Sequence, residues 1–422
     1  MKKKILIIKN NDDISKKNII FYDEYLYYLY PKNKKMKKKN FFFSLKNLSK
    51  TKYNTIKLHN KIDTYRKELS PKLNFIHKKK LKEKDWGLIL DNFLFQIINP
   101  IIIETNNFKK ILKKEKNILI SEESLNNFYL SMIEFSNSYH SDNRYAYIRY
   151  LIAKNLGFEV IKRVKRKNKI LKKNLLLKES FYLPIFRNIV RFYIKIFKPN
   201  LFLNSYLGLK NTLILFFKNF GQFINIPSKY IFDYNVPYTK KDLKIRKLIK
   251  VKERDFIDRI FNIIAGDVIP ASYIENFKLY FSESKKLSNL PSLGSGGSIM
   301  YDDMFKFLSV KLLNQKKKVI SLQHGFMGKE IKGRLIYDQI YQKKYSSKFL
   351  GWYDKEVTKE TIFDRYKKYK IKNFEQKNIL IYPSMFQDRP NYKNNLRAKY
   401  HPNLNSNYIF YDSLKQNIKR KV

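Results

Sequence analysis

One stretch of this 422-residue chain sets a reactive side chain among residues that let a backbone come close to a ligand: Val319-Ile320-Ser321-Leu322-Gln323-His324-Gly325-Phe326-Met327-Gly328. A neutral imidazole, whose ordinary pKa is near ~6.5, takes a proton from a hydroxyl nucleophile or hydrogen-bonds a phosphate. His324 is the candidate for that work, and Gly325 and Gly328 leave room for close approach. Upstream, the amides of Gly294-Ser295-Gly296-Gly297-Ser298 could line a nest for an anion, ahead of a helix expected from Tyr301 to about Asn314. Lys329 and Arg334 could offset the charge of a leaving group. The same spacing fits a histidine that only caps a strand and a loop that only turns the chain. The residues alone leave both readings open.

Other chemistries lack their residues. The Gly/Ser turn has neither G-x-x-x-x-G-K-[ST] nor G-x-G-x-x-G spacing, so no P-loop or dinucleotide fingerprint is present. There is no H-E-x-x-H, and no Asp-x-Asp pair to hold a divalent cation on a diphosphate. Asp302 and Asp303 are adjacent and read as the first turn of a helix, where carboxylates suit the dipole. With no cysteine, disulfides and Cys-based zinc sites are excluded. Neither a metal nor a cofactor is expected.

Positioning His324 requires a strand that ends at it. In open parallel sheets, ligands sit outside the carboxyl ends of strands, and the apolar residues around Ser321 followed by Gln-His-Gly fit such an end. Strands are also expected at Ile5 to Ile8, Ile19 to Tyr22, Tyr53 to His59, Asn117 to Ile120, Phe158 to Val164 and Ser288 to Leu293. Helices are expected near Lys61 to Lys80, from Asp85 to Pro100, from Ser121, and from Tyr139 to Asn155 with Gly157 as its cap. Pro270 opens a further helix. Strand and helix patterns alternate as a parallel sheet requires. From Lys165 to Pro227, and on to about 260, basic and bulky apolar residues mix, which reads as a helical insertion. Its basic amphipathic faces could lie on an anionic membrane or pack on the sheet.

The formal net charge is +52, with hydrophobic residues at 44%. That much charge would suit a polyanion, but Lys outnumbers Arg, and Asn, Ile, Phe and Tyr are abundant, as in a genome rich in A and T. No nucleic-acid motif accompanies the charge, so no nucleic-acid partner is expected. The apolar run at the N-terminus breaks at Lys9 and reads as a strand, not a leader. No uninterrupted apolar stretch approaches the ~18 residues that span a bilayer, so a cytoplasmic protein is expected, with peripheral contact at the inner face of the cell membrane the one membrane role left open.

A resemblance adds to this reading. Ser321-Leu322-Gln323-His324-Gly325 with Gly328, then Gly351-Trp352, resembles the signature of a bacterial family of surface-polysaccharide transferases. Pro270-Ala271-Ser272-Tyr273-Ile274-Glu275, Pro291 and Tyr301-Asp302-Asp303-Met304-Phe305-Lys306 are similar to it too, as are Asn74, His77 and Trp86. It runs from Lys4 to about Pro383. The resemblance implies an α/β fold like that of two-lobed, metal-independent glycosyltransferases of the GT-B type, with the site between the lobes. His324 would be catalytic or contact phosphate, Gln323 would orient it, and Gly325 and Gly328 would form its loop. Lys329, Arg334, Gly294, Ser295 and Gly296 complete the expected substrate-binding set.

The implied substrate is a nucleotide-activated sugar or polyol phosphate, and the implied acceptor a glycan or lipid-linked glycan. The expected organisation is one Rossmann-like lobe over 1–352, with 353–422 a linker and the start of a second, truncated lobe. On that organisation the chain would bind its donor poorly. The rival expectation is a catalytically inactive basic protein that binds anionic membrane or polyanion.

Overall fold

Ten short strands and twelve α-helices are visible in the computed structural model, which describes residues 4–7, 19–23, 41–43, 55–125, 128–137, 142–161, 182–205, 209–234, 239–323 and 337–351. Strands β1 (Lys4–Ile7), β2 (Ile19–Asp23) and β3 (Phe41–Phe43) come first. Helix α1 (Thr55–His77) follows, taking in the stretch expected as a strand at Tyr53 to His59. The reason is visible in its burial: Leu58, Ile62, Tyr65, Leu69 and Leu73 form one inward stripe at helical spacing. The helical period therefore starts at Leu58 and overrides the local strand pattern.

Helix α2 (Glu83–Lys114) begins where the Asp85 carboxylate accepts the Lys82 amide at 2.9 Å, and it runs straight through Pro100. A proline inside a helix removes a hydrogen bond and costs about 3 kcal/mol. Burial on every side offsets that cost, since each residue from Asp85 to Ile101 is buried. Among the described residues α2 is long and apolar enough to cross a membrane, yet it is packed as a core helix.

The chain continues through β4 (Ile118–Ser121), α3 (Met132–Asn137), α4 (Asp142–Asn155) and β5 (Glu159–Ile161). Ser121 ends β4 and does not start a helix; the next one begins at Met132. Gly157, at φ +88°, turns the chain after α4 as expected, and the Phe158 amide reaches back to Ala153 O at 3.0 Å. Then come α5 (Tyr182–Phe197), β6 (Asn200–Leu203), α6 (Leu209–Lys218) and β7 (Phe223–Ile226). Next are α7 (Leu243–Arg246), α8 (Phe256–Val268), a 3-10 turn at Ala271–Tyr273 behind Pro270, and α9 (Phe277–Lys285). The last elements are β8 (Ser292–Ser295), α10 (Ser298–Tyr301), α11 (Asp303–Asn314), β9 (Lys318–Leu322), α12 (Tyr337–Tyr345) and β10 (Lys348–Leu350).

The strands form two five-stranded sheets, ordered β3-β2-β1-β4-β5 and β10-β9-β8-β6-β7, with every pairing parallel. The first follows the Rossmann order 3-2-1-4-5; the second follows the flavodoxin-like order. The expected α/β class with Rossmann-like parallel sheets is thus what the chain adopts. Both sheets are built from strands between Lys4 and Leu350. The stretch expected as a helical insertion supplies β6 and β7, which pair from Asn200↔Phe223 to Leu203↔Ile226. Leu201 and Leu203 are fully buried on β6, and this four-residue alternation was masked by the long apolar helices on either side. Residues 352–422 lie outside the described residues.

Helix α2 joins the two sheets. Its first half meets the second sheet's helices: the Lys306 ammonium of α11 approaches Ile89 O, and the Tyr341 hydroxyl of α12 donates to Leu88 O. Its later half meets α4, where Arg149 Nε lies 3.1 Å from Glu104 Oε1. One continuous apolar core runs from Leu6 on β1 to Val319 on β9.

Candidate functional site

In a parallel sheet the crevice opens where the chain reverses its direction of winding. In the second sheet that point lies between β6 and β8, which are hydrogen-bonded neighbours although β7 comes between them in sequence. Polar side chains gather at the carboxyl ends there. Asn204 follows β6 at φ +50°, a left-handed conformation that asparagine tolerates. Its Oδ1 accepts the Ser228 amide at 3.1 Å, and its Nδ2 donates to Ser228 Oγ (3.1 Å) and Ser298 Oγ (3.0 Å). Asn204 is exposed while both serines are buried, so the amide is the outer face of the cluster. Next to it, Ser205 Oγ donates to Asn225 Oδ1 at 2.6 Å.

Behind this cluster lies Asp302, buried at 3% exposure. Its Oδ1 caps α11 by accepting the Phe305 amide at 3.2 Å, and its Oδ2 accepts the Tyr234 hydroxyl at 2.5 Å. The Ser228 side chain hydrogen-bonds to both Tyr234 and Asp302, which links the buried carboxyl to Asn204. Burial pushes the Asp302 carboxyl up to about 6, with the neighbouring Asp303 adding to the rise and the hydrogen bonds opposing it. Around neutral pH this group can hold or release a proton, and Ser228 carries its influence to the strand ends.

A stability measurement checks that state. The folded pKa is raised, so Asp302 favours the fold when protonated, fully below about pH 4, and that contribution is lost as pH rises through about 6. Asp302→Asn keeps an N-cap acceptor but cannot ionise. The unfolding free energy of the variant, relative to the native chain, should rise by about 2 kcal/mol between about pH 4.5 and 7.5 in urea melts. A flat difference across that range would show that Asp302 is charged throughout.

The Gly/Ser turn behaves differently from an open nest. Ser295 Oγ accepts the amides of Gly297 (3.1 Å) and Ser298 (2.6 Å), so those two donors are engaged within the loop. Gly297, at φ 143°, makes that turn possible. Gly294 is a glycine for packing: a Cβ there would stand 2.3 Å from Phe202 Cε1 of β6. Gly296 is buried in the same turn.

On the adjoining strand, Ser321 pairs with Ser295 across β8 and β9, and its buried hydroxyl has no hydrogen-bond partner among the described residues. Gln323 is buried, and its amide donates to Leu350 O at 2.9 Å, extending the ladder to β10. The fold therefore brings Gly294, Ser295, Gly296 and Gln323 to neighbouring strand ends. His324, Gly325, Gly328, Lys329 and Arg334 lie outside the described residues.

Asn204, Ser228 and Tyr234 are not among the residues the sequence singles out. The signal for Asn204 was the Leu-Phe-Leu strand that it ends, hidden in the supposed insertion. Asp302 was read as a helix-start carboxylate, which it is; only its burial gives it a raised pKa.

Asn74, Trp86, His77 and Tyr273, all behind the resemblance, are linked to one another in turn. His77 stacks on Phe277 (3.9 Å between centroids) and on Trp86 (5.9 Å), and its Nε2 donates to Tyr273 O at 2.9 Å. Burial lowers its pKa to about 4, so it is neutral and structural. Asn74 Oδ1 accepts the Trp86 indole at 2.9 Å and the Leu81 amide at 3.0 Å. Glu275 holds Arg246 with two hydrogen bonds, at 2.6 and 2.9 Å, and both side chains are buried.

Two comparisons return nothing: no curated protein and no solved structure matches this chain. A family model described as LIC12162 family transferase matches residues 5–422.

Proposed function

This chain belongs to the LIC12162 family of transferases, and from that premise we propose that it acts in surface-polysaccharide assembly. The proposed reaction moves a sugar or polyol phosphate from a nucleotide-activated donor to a glycan or lipid-linked acceptor on the cytoplasmic side of the cell membrane. The observation that carries the reading is β9, whose last residues lead directly into Gln323 and His324 one strand away from the winding reversal. On this reading the two parallel sheets supply the lobes of a GT-B-like, metal-independent enzyme.

In this mechanism His324 takes the proton of the acceptor hydroxyl as its oxygen attacks the donor. A bond forms from that oxygen to the anomeric carbon, or to phosphorus for a polyol phosphate. The bond to the nucleotide phosphate breaks, and Lys329 and Arg334 offset the charge that leaves with it. Asn204, Ser228 and Ser298 present hydrogen-bonding groups to the donor at the strand ends, and Asp302 sets the polarity of Ser228 from behind.

Calorimetry and native mass spectrometry of the purified chain, against a panel of nucleotide sugars and cytidine-diphosphate polyols, test the reading. One saturable complex is expected, weakened by Asn204→Ala, together with nucleotide release when acceptor is added. Absence of binding across the whole panel would overturn it.

A further inference from the structure

Helix α5 buries Val190 and Ile194 on its inner face, yet it carries a second apolar face that is exposed. Arg187 and Arg191, one turn apart, face the protein: Arg187 is buried with Nη1 3.1 Å from Asp233 Oδ1, and Arg191 donates to Ile231 O (2.8 Å) and Glu283 Oε2 (3.0 Å). Ile185, Ile189, Phe192 and Ile196 repeat at helical spacing on the other side and are 50, 60, 66 and 52% exposed. A surface helix of a globular protein carries one apolar stripe, turned inward, with polar residues on its outer face. Helix α6 adds Leu213, Ile214 and Phe217, which with Lys210 and Lys218 line an open groove of about 550 Å³. The two helices abut through Tyr193, whose hydroxyl donates to Gly221 O at 2.9 Å and whose ring centroid lies 6.4 Å from that of Phe216.

The charge of this region has one sign. No Asp or Glu occurs from Ser180 to Phe232, and Lys195, Lys198, Lys210 and Lys218 are all exposed among the apolar residues. We propose that α5 and α6 form a docking face for an anionic phospholipid bilayer. The apolar side chains enter the interface, and the lysines meet the headgroups. A second copy of the chain suits the face less well, because a symmetric contact would set lysine against lysine with no acid to balance them. The inference stands on this surface alone and does not need the transferase reading.

The test is sedimentation of the full chain with phosphatidylcholine vesicles, with and without phosphatidylglycerol, over a range of salt. Binding is expected only with the anionic lipid and is expected to fall steeply as salt rises. Lys210→Gln with Lys218→Gln should lower partitioning roughly fivefold per lysine. Ile189→Ser with Phe192→Ser, at exposed positions whose loss leaves no cavity, should lower it at least about tenfold at unchanged helicity. No sedimentation with anionic vesicles, or equal binding to both vesicle types by native chain and variants, would overturn the proposal. So would a native dimer in ultracentrifugation that the Ile189/Phe192 variant converts to monomer.

Discussion

Replacing Asp303 with alanine is expected to remove about 3–5 kcal/mol of folding stability, the usual cost of breaking a buried ion pair from one side. Asp303 is buried at 2% exposure, and burial raises its carboxyl pKa. Three donors converge on it: the Met132 amide (2.8 Å), Ser272 Oγ (2.7 Å) and the Tyr273 hydroxyl (2.9 Å). The fully buried Lys306 ammonium stands 3.9 Å away and donates to the Tyr273 hydroxyl at 2.7 Å.

Met132 starts the helix after a strand of the first sheet, whereas Asp303 starts a helix packed on the second. One carboxylate thus ties the two halves of the core. Alanine would strip three donors of an acceptor and leave a buried cation without its carboxylate neighbour. Adding Lys306→Met should recover much of the loss, because an apolar side chain of similar length tolerates that site. Urea melts decide the matter; a loss under about 1 kcal/mol for the single variant would show that the knot does not hold the halves together.

His324→Ala is expected to lower kcat by roughly 10²–10⁴, the range for removing a general acid–base group. The assay is transfer from whichever donor the binding panel identifies, with unfolding measured in parallel to separate chemistry from folding. The KM for donor should change much less than kcat, since the proposed role is proton transfer to the acceptor side. Gln323→Ala separates position from chemistry. The Gln323 main chain, which donates to Leu350 O, survives that substitution, so only its side-chain contribution is removed. Unchanged turnover in His324→Ala would rule out the assigned role and move attention to Asp302.

The local repeats of this chain were enough to determine its α/β class, the strands at Ile5, Ile19, Ile118 and Val319, the helix cap at Gly157 and the strand that leads toward His324. Each depends on residues within a few positions of one another, and side-chain period reads such short-range order directly. Tertiary structure decided the rest. Whether Pro100 ends a helix depends on what packs around it, and α2 continues because its neighbours bury both sides of the proline. Whether Leu201 to Leu203 is a strand depends on partners from Ile224 to Ile226 on one side and from Leu293 to Ser295 on the other.

The polar cluster is the extreme case, since Asn204 and Ser298 meet across 94 positions and owe their contact to adjacent parallel strands. Burial is likewise a property of the assembled core: adjacent Asp302 and Asp303 look alike in sequence, yet one faces Tyr234 and the other Tyr273. In the same way, tertiary packing buries Arg187, Val190 and Ile194 of α5 and leaves Ile185, Ile189 and Ile196 outward. Pattern reports which residues are amphipathic, but desolvation and pairing are set by chain segments far away.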